Sequence, residues 1–298
     1  MASRLLDKRI GGHRIQGYTR AGEESVIVLP EMNLAFDVGR GPSEAVSIDY
    51  ICLTHGHMDH AAGVAYYFSQ RCFIGISPGC VVAHPRLIEP LRRLMDVWAL
   101  IEGHPSPHRL VALAPGEEFE TRRGLFVRGF EVNHGGPCLG FSVIERRRKL
   151  KSEYADYSGP QLVELKSKGV QITRDLDLPL IAYCGDTAAG EFLDLDYVRN
   201  AQVLLLECTF YDPDHVKRAR VGKHIHVNDL PAIMGRLRNP HVVITHVTRR
   251  TALAQAKRML KAKLGPEDWQ RMTLMMDRPR GSKARPEEVV PGESGAPG

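Results

Sequence analysis

The stretch LTHGHMDHAAG, Leu53 to Gly63, places His55, His57, Asp59 and His60 within six residues. A solvated surface has no use for such crowding, and in a core each imidazole would need its own polar partner. Imidazole and carboxylate together are the donor set of a divalent transition metal. The stretch continues an apolar run, YICLT, that reads as a buried strand. The histidines then lie just past a strand end, where a rigid scaffold can aim them into a cleft.

The same placement recurs along the chain. His134 follows LFVRGFEV, Asp186 follows LPLIAYCG, Glu207 closes VLLLE and His246 follows HVVIT. ESVIVL, NLAFDV and LGFSVIE read as further strands. Helical spacing in PRLIEPLRRLMDVWALIEG puts Leu87, Leu91, Leu94, Met95 and Trp98 on one face, which is expected to be buried. Two later helices are expected, NDLPAIMGRLR capped by Asn228 and TALAQAKRMLKAKL capped by Thr251. This order points to the α/β class, with a mixed sheet or two packed sheets and helices outside.

Composition narrows the setting. The 298 residues fit one large α/β domain or two small ones, and 43% hydrophobic residues supply an ample core. A net charge of +5 permits a polyanionic partner without demanding one. The six cysteines contain no C-x-x-C pair, which argues against a thiolate zinc site and a disulfide framework. MASRLLDKRI lacks the apolar centre of a signal peptide, and no run approaches a membrane span. A reduced, soluble, cytoplasmic protein with no membrane partner is expected. Residues 278–298 are Pro, Gly and charge without periodicity and read as a disordered tail, leaving 1–277 as the domain.

The donors can be counted. His55, His57, His60, His134 and His246 join Asp59 and Asp186. One zinc takes about four ligands, so this set suits two metals sharing a carboxylate. Without thiolates, zinc is expected, with manganese or iron as alternatives. Two close metals are a recurring device for phosphoryl hydrolysis. The histidines at 13, 84, 104, 108, 215 and 241 have no such context.

In sequence order, THGHMDHAAG, NHGG, CGDT and ITHV resemble the signature of the metallo-β-lactamase superfamily. The resemblance covers roughly residues 15–276 and implies a four-layer αββα sandwich. It also implies that His55, His57 and His134 hold one zinc, that Asp59, His60 and His246 hold the other, and that Asp186 bridges. Asp37, in LAFDVG, would be a structural hydrogen-bonding residue.

Within the superfamily, FDVGRGP, LKSEYADYSGPQLVELKSKGVQIT, IAYCGDT, LLLECTFYD and KHIHVNDL resemble the ribonuclease Z family of tRNA 3′-processing endonucleases, in its short plant-like form. That resemblance implies a precursor-tRNA substrate, a homodimer, and a proton relay of Glu207 with His224, His226 being the alternative. Asp59 would act both as ligand and as acceptor of a water proton. Lys223 stands where the family has Gly, and the insert at about 146–175 aligns with a tRNA-gripping arm. Its basic run RRRKLK would position phosphates without reading sequence. Two other readings compete: a hydrolase of this fold acting on a small phosphodiester or thioester, and a binding protein that kept the fold. The full donor set weighs against the second.

Overall fold

The apolar runs form strands buried on both faces, and this dictates the layering. The computed structural model describes residues 5–277. Its first sheet holds β1 (Leu6–Ile10), β2 (His13–Ala21), β3 (Glu24–Leu29), β4 (Leu34–Phe36), β5 (Tyr50–Leu53), β6 (Cys80–Ala83) and β7 (Arg109–Ala112), in that spatial order. The second contains β8 (Glu118–Arg122), β9 (Leu125–Glu131), β10 (Leu139–Leu150), β11 (Thr173–Tyr183), β12 (Val203–Glu207) and β13 (His241–Thr245). β14 (Val247–Thr248) returns to the first sheet beside β2, and β15 (Met272–Leu274) closes the second beside β13.

Alternation along each strand feeds two cores at once. In β12, Val203 and Leu205 point between the sheets, while Leu204 and Leu206 point to the outer layer. In β3, Ile27 and Leu29 face inward, and Val26 and Val28 face out. A strand covered on both sides has no polar face, hence the unbroken VLLLE and ESVIVL. The inter-sheet core joins Phe36, Cys52 and Val82 to Phe141, Ile181 and Val243. Each such side chain stabilises the fold by about 1.5–3 kcal/mol relative to exposure.

Helices cover the outer faces. After the single turn α1 (Met58–Ala61), α2 (Val64–Phe73) and α3 (Pro85–Glu102) pack Tyr67, Phe68, Leu91 and Met95 on the first sheet. α4 (Gly159–Ser167) caps the exposed ribbon made where β10 and β11 run on past the sheet. α5 (Val216–Gly222) precedes α6 (Leu230–Arg236) and α7 (Leu253–Lys263), which set Ile233, Met234, Ala256 and Leu260 on the second sheet. The result is the four-layer αββα metallo-β-lactamase fold.

Some local expectations are corrected. On α3 only Leu91 and Met95 are buried; Leu94 and Trp98 remain 39% and 37% exposed, because the helix is more apolar than its contact with the sheet requires. Neither Asn228 nor Thr251 caps a helix. A 3₁₀ turn, Val227–Asp229, precedes α6 and is capped by His226, and Ala252 holds the cap position of α7. The insert expected at about 146–175 is a two-stranded ribbon, Arg146–Leu150 paired with Thr173–Asp177 past the pairing of β9 and β12, with 151–172 at its tip. The tail read at 278–298 lies outside the described residues.

Candidate metal centre and active site

Strand direction brings the site together. β9, β11, β12 and β13 run the same way, as do β2, β4 and β5. Their carboxyl ends meet on one edge, where the donors leave the sheets. His55 and His57 follow β5, and α1 adds Asp59 and His60 one turn later. His134 lies in the β9–β10 turn and Asp186 follows β11. The chain crosses from β13 to β14, between the sheets, at His246. That crossing bends its backbone to a φ of 58°, and its N–H donates to Thr19 Oγ1 at 2.8 Å.

The glycine ending the motif is there for space. A Cβ on Gly63 would lie 2.3 Å from the nitrogen of Gly41, and Gly63 N–H donates to Gly39 O at 2.7 Å. This contact seats α1 against the loop after β4. Gly185 allows a similar approach: its φ is 60°, and a Cβ would meet that of Thr54 at 2.9 Å.

All seven sequence-predicted donors converge. His55, His57, His134 and Asp186 offer atoms within 4.8 Å of one another, as do Asp59, His60 and His246. Asp186 lies between the groups, 3.8 Å from His55 Nε2, 3.4 Å from His60 Nε2 and 3.3 Å from His246 Nε2. His57 is the exposed member, with Nδ1 3.4 Å from His134 Nε2.

The shell behind them orients four of the rings. His60 Nδ1–H donates to Asp37 Oδ2 at 2.7 Å. His55 Nδ1 meets Thr54 Oγ1 at 3.0 Å, and that hydroxyl donates on to Asp37. His246 Nδ1 meets Thr209 Oγ1 at 2.9 Å, and His134 Nδ1 meets the Lys223 carbonyl at 3.4 Å. Each contact spends the Nδ1 proton on the protein and leaves Nε2 toward the cluster, as a metal ligand requires. Asp37, fully buried with a φ of 56°, also accepts from Thr54 N and the Tyr183 hydroxyl.

These residues fit a metal on the structure's own terms. His55 Nε2, His60 Nε2 and Asp186 Oδ1 are buried without a hydrogen-bond partner. Native interiors rarely leave such atoms unpaired. Burial, reinforced by His60, lowers the His55 pKa to about 2, and burial also lowers that of His134. Both rings are therefore neutral and able to ligate. Burial would raise Asp186, but His246 and His60 outweigh it and hold the carboxylate ionised.

Glu207 and His224 sit beside the cluster and differ from it. Glu207 Oε1 accepts from Thr187 N and His224 Nδ1, each at 2.7 Å. Its Oε2 accepts from Thr209 Oγ1 at 2.5 Å and Ile225 N at 3.3 Å. A carboxylate has about four lone-pair sites, so none remains for a metal. Although both residues fall within a wider cluster with Asp186 and His246, Glu207 is thereby an orienting group. Burial alone would lower His224, but the charge and hydrogen bond of Glu207 raise it to about 9. The His224 ring stacks on His246 with centroids 5.5 Å apart. His226 faces elsewhere: Nε2 meets Asp212 O at 2.9 Å, and Nδ1 accepts from Asn228 N at 3.2 Å.

The structure adds residues that pattern reading left out. Thr54 and Thr209 set ring tautomers, and the Gly22 amide donates to Asp59 Oδ2 at 2.8 Å. A cleft of about 330 Å³ opens over Asp59, His57, His224 and His246, with Phe210, Arg218 and Arg250 on its walls. The threonines have a sequence signal, each lying one or two residues from a strand-end donor. The arginines have one too, since DHVKRARVGKH runs up to His224 and TRR follows His246.

Comparison with known proteins agrees with this architecture. The β-lactamase superfamily domain matches residues 29–247. tRNase Z TRZ1 of Arabidopsis thaliana is 31% identical over 258 residues, spanning 85% of this chain and 92% of the relative. Among solved structures, the metallo-β-lactamase fold protein YhfI of Bacillus subtilis superposes with a TM-score of 0.59 at 14% identity, covering 86% of this chain and 92% of its own. Human tRNase Z, short form (ELAC1), gives 0.53 at 18% identity, over 88% and 89%. Likeness this distant in sequence speaks to fold, whereas the Arabidopsis relative speaks to family. The chain therefore belongs to the β-lactamase superfamily and, within it, to the tRNase Z family of metal-dependent hydrolases.

Proposed function

We propose that this enzyme is an endoribonuclease that removes 3′ trailers from precursor tRNA, using two zinc ions per chain. The observation that carries the reading is Glu207 holding His224 at 2.7 Å beside the donor cluster. Cleaving a phosphodiester leaves a ribose 3′-oxygen that needs a proton. With Nδ1–H committed to Glu207, His224 presents Nε2–H as the donor, and its raised pKa keeps that proton in place at neutral pH.

His55, His57 and His134 would hold one ion, Asp59, His60 and His246 the other, with Asp186 shared. Divalent ions there supply positive charge against the phosphoryl oxygens and acidify water. Asp59, held by the Gly22 amide, faces the cleft as acceptor of the water's proton. Arg218 and Arg250 add positive charge beside the cleft, suited to flanking phosphates. The ribbon and its cap at 146–175 would grip tRNA away from the chemistry.

A homodimer in a cytoplasmic, reducing setting belongs to the same proposal. Leu94, Val97, Trp98 and Ile101 form an i, i+3, i+4, i+7 stripe on the outside of α3. The Ser69–Glu102 hydrogen bond brings exposed Phe73 of α2 beside it. Large apolar patches of this kind mark protein contacts. The six cysteines are free.

A cleavage assay tests the substrate. A 3′-extended precursor tRNA and a small chromogenic phosphodiester are offered to the same preparation. Chelator-sensitive cleavage of the tRNA just past the acceptor stem is expected. Turnover of the small ester with the tRNA left intact would make the protein a small-molecule hydrolase.

A further inference from the structure

Lys223 occupies the position just past α5, with a φ of 54° in the left-handed region. The turn is a Schellman closure: His224 N–H donates to Ala219 O at 2.9 Å and Lys223 N–H to Arg220 O at 3.2 Å. Glycine is the usual residue at this position, since a Cβ is strained there. A strained side chain persists where its surroundings hold it. Here the surroundings are His134. The Lys223 carbonyl accepts from His134 Nδ1 at 3.4 Å, and the Lys223 ammonium donates to the His134 carbonyl at 3.2 Å.

The loop carrying His134 has little packing of its own. Gly135 and Gly136 follow it, and a Cβ built on either would meet nothing within 4 Å. On the other side the loop is tied by Asn133, whose N–H donates to Thr187 Oγ1 at 2.9 Å. Lys223 supplies the opposing tie. The next residue in sequence is His224, whose ring lies 5.0 Å from that of His134. One turn thus sets the tautomer of a ligand and the place of the proton donor.

We propose that Lys223 is a positioning residue, a clip that fastens the His134 loop to the end of α5 and fixes the separation of the metal centre from His224. Any residue could offer the carbonyl. The ammonium contact is the part specific to lysine, and it accounts for a side chain where glycine would be relaxed. The inference rests on His134 being a metal ligand, so His134→Ala is carried alongside.

The test compares Lys223→Gly, Lys223→Arg and His134→Ala with the wild type. Zinc affinity is read by competition with a chromogenic chelator, thermal midpoint by calorimetry, and kcat and KM on a small phosphodiester. Lys223→Gly is expected to keep or raise the thermal midpoint, because the backbone strain is gone. Its zinc affinity should nevertheless fall roughly tenfold, the lower end for a lost outer-shell partner, and kcat should fall with KM little changed. Lys223→Arg, which keeps a long cationic donor, should recover most of the affinity. Unchanged affinity in Lys223→Gly, a loss that tracks a lowered thermal midpoint, or no recovery in Lys223→Arg would each overturn the clip. Full affinity in His134→Ala would remove its foundation. None of these readouts uses RNA, so precursor-tRNA cleavage stands or falls separately.

Discussion

The hydroxyl of Thr209 has one proton and two neighbours that need it used correctly. It donates to Glu207 Oε2, so its lone pair is what His246 Nδ1–H can reach. A single side chain thereby links relay and metal centre while keeping their roles apart. His224→Ala should slow hydrolysis by roughly 10²–10⁴, with metal content by elemental analysis near wild type. Metal loss in that variant would make His224 a ligand instead. Asp186→Ala should lower occupancy of both sites, since the carboxylate lies within reach of histidines from each group. In metal-stripped protein, an NMR titration should place His224 near 9. Glu207→Gln should lower it, because burial is then opposed only by the weaker charge of Asp186. The sign follows from a raised pKa: the stability this pair adds is complete below about pH 6.5 and is lost as pH rises through about 9.

The basic run on β10 divides into one half-buried charge and several exposed ones, Arg147 among them paired with Glu145 at 2.6 Å. Arg146 is wedged between Asp177 at 2.6 Å and Glu118 at 3.0 Å, over the Phe126 ring. Arg148 is 83% exposed, with Asp175 only at 3.8 Å. Neutralising Arg147, Arg148, Lys149 and Lys151 should weaken precursor-tRNA binding and flatten its salt dependence by up to about one power per lost contact. Small-ester turnover should hold. Arg146→Ala belongs to a different class and should cost on the order of 1 kcal/mol in chemical denaturation. Equal damage to both substrates from the four-site variant would make the ribbon a structural part. On α3, Ile101, 65% exposed, is the natural probe of association. Ile101→Asp should convert a dimer to monomer in sedimentation velocity without unfolding it, and an unchanged sedimentation coefficient would place the interface elsewhere.

At the scale of the molecule, the donor cluster spans both sheets. His55, His57, Asp59 and His60 come from the first, and His134, Asp186 and His246 from the second or from the crossing out of it. Metal removal leaves like-facing buried nitrogens unpaired at the seam, so chelation should lower the thermal midpoint as well as abolish activity. For free metal at a hundred times its dissociation constant, the lost stabilisation is about 2.7 kcal/mol per site, or roughly 4–5 °C per site in a domain this size. Calorimetry with and without chelator measures it. An identical midpoint would mean that the sheets hold the site without help.

Two features were readable in the sequence, the clustered histidines and aspartates and the apolar strands of a mixed sheet or two packed sheets. Both rest on local signals: a compact H-x-H-x-D-H motif cannot be hidden by context, and strands buried on both faces must be unbroken apolar runs such as VLLLE. The short or mixed strands escaped that reading, because β7 (RLVA) and β8 (EFETR) carry charges and have no run to show. Which charges are exposed, which face of α3 is covered, and which histidine of HIH meets Glu207 were decided only by tertiary structure. Each depends on partners distant in the chain: Glu118 for Arg146, the first sheet for Leu91, and Glu207 for His224. Spacing in sequence reports the period of an element, but it carries no record of what that element is packed against.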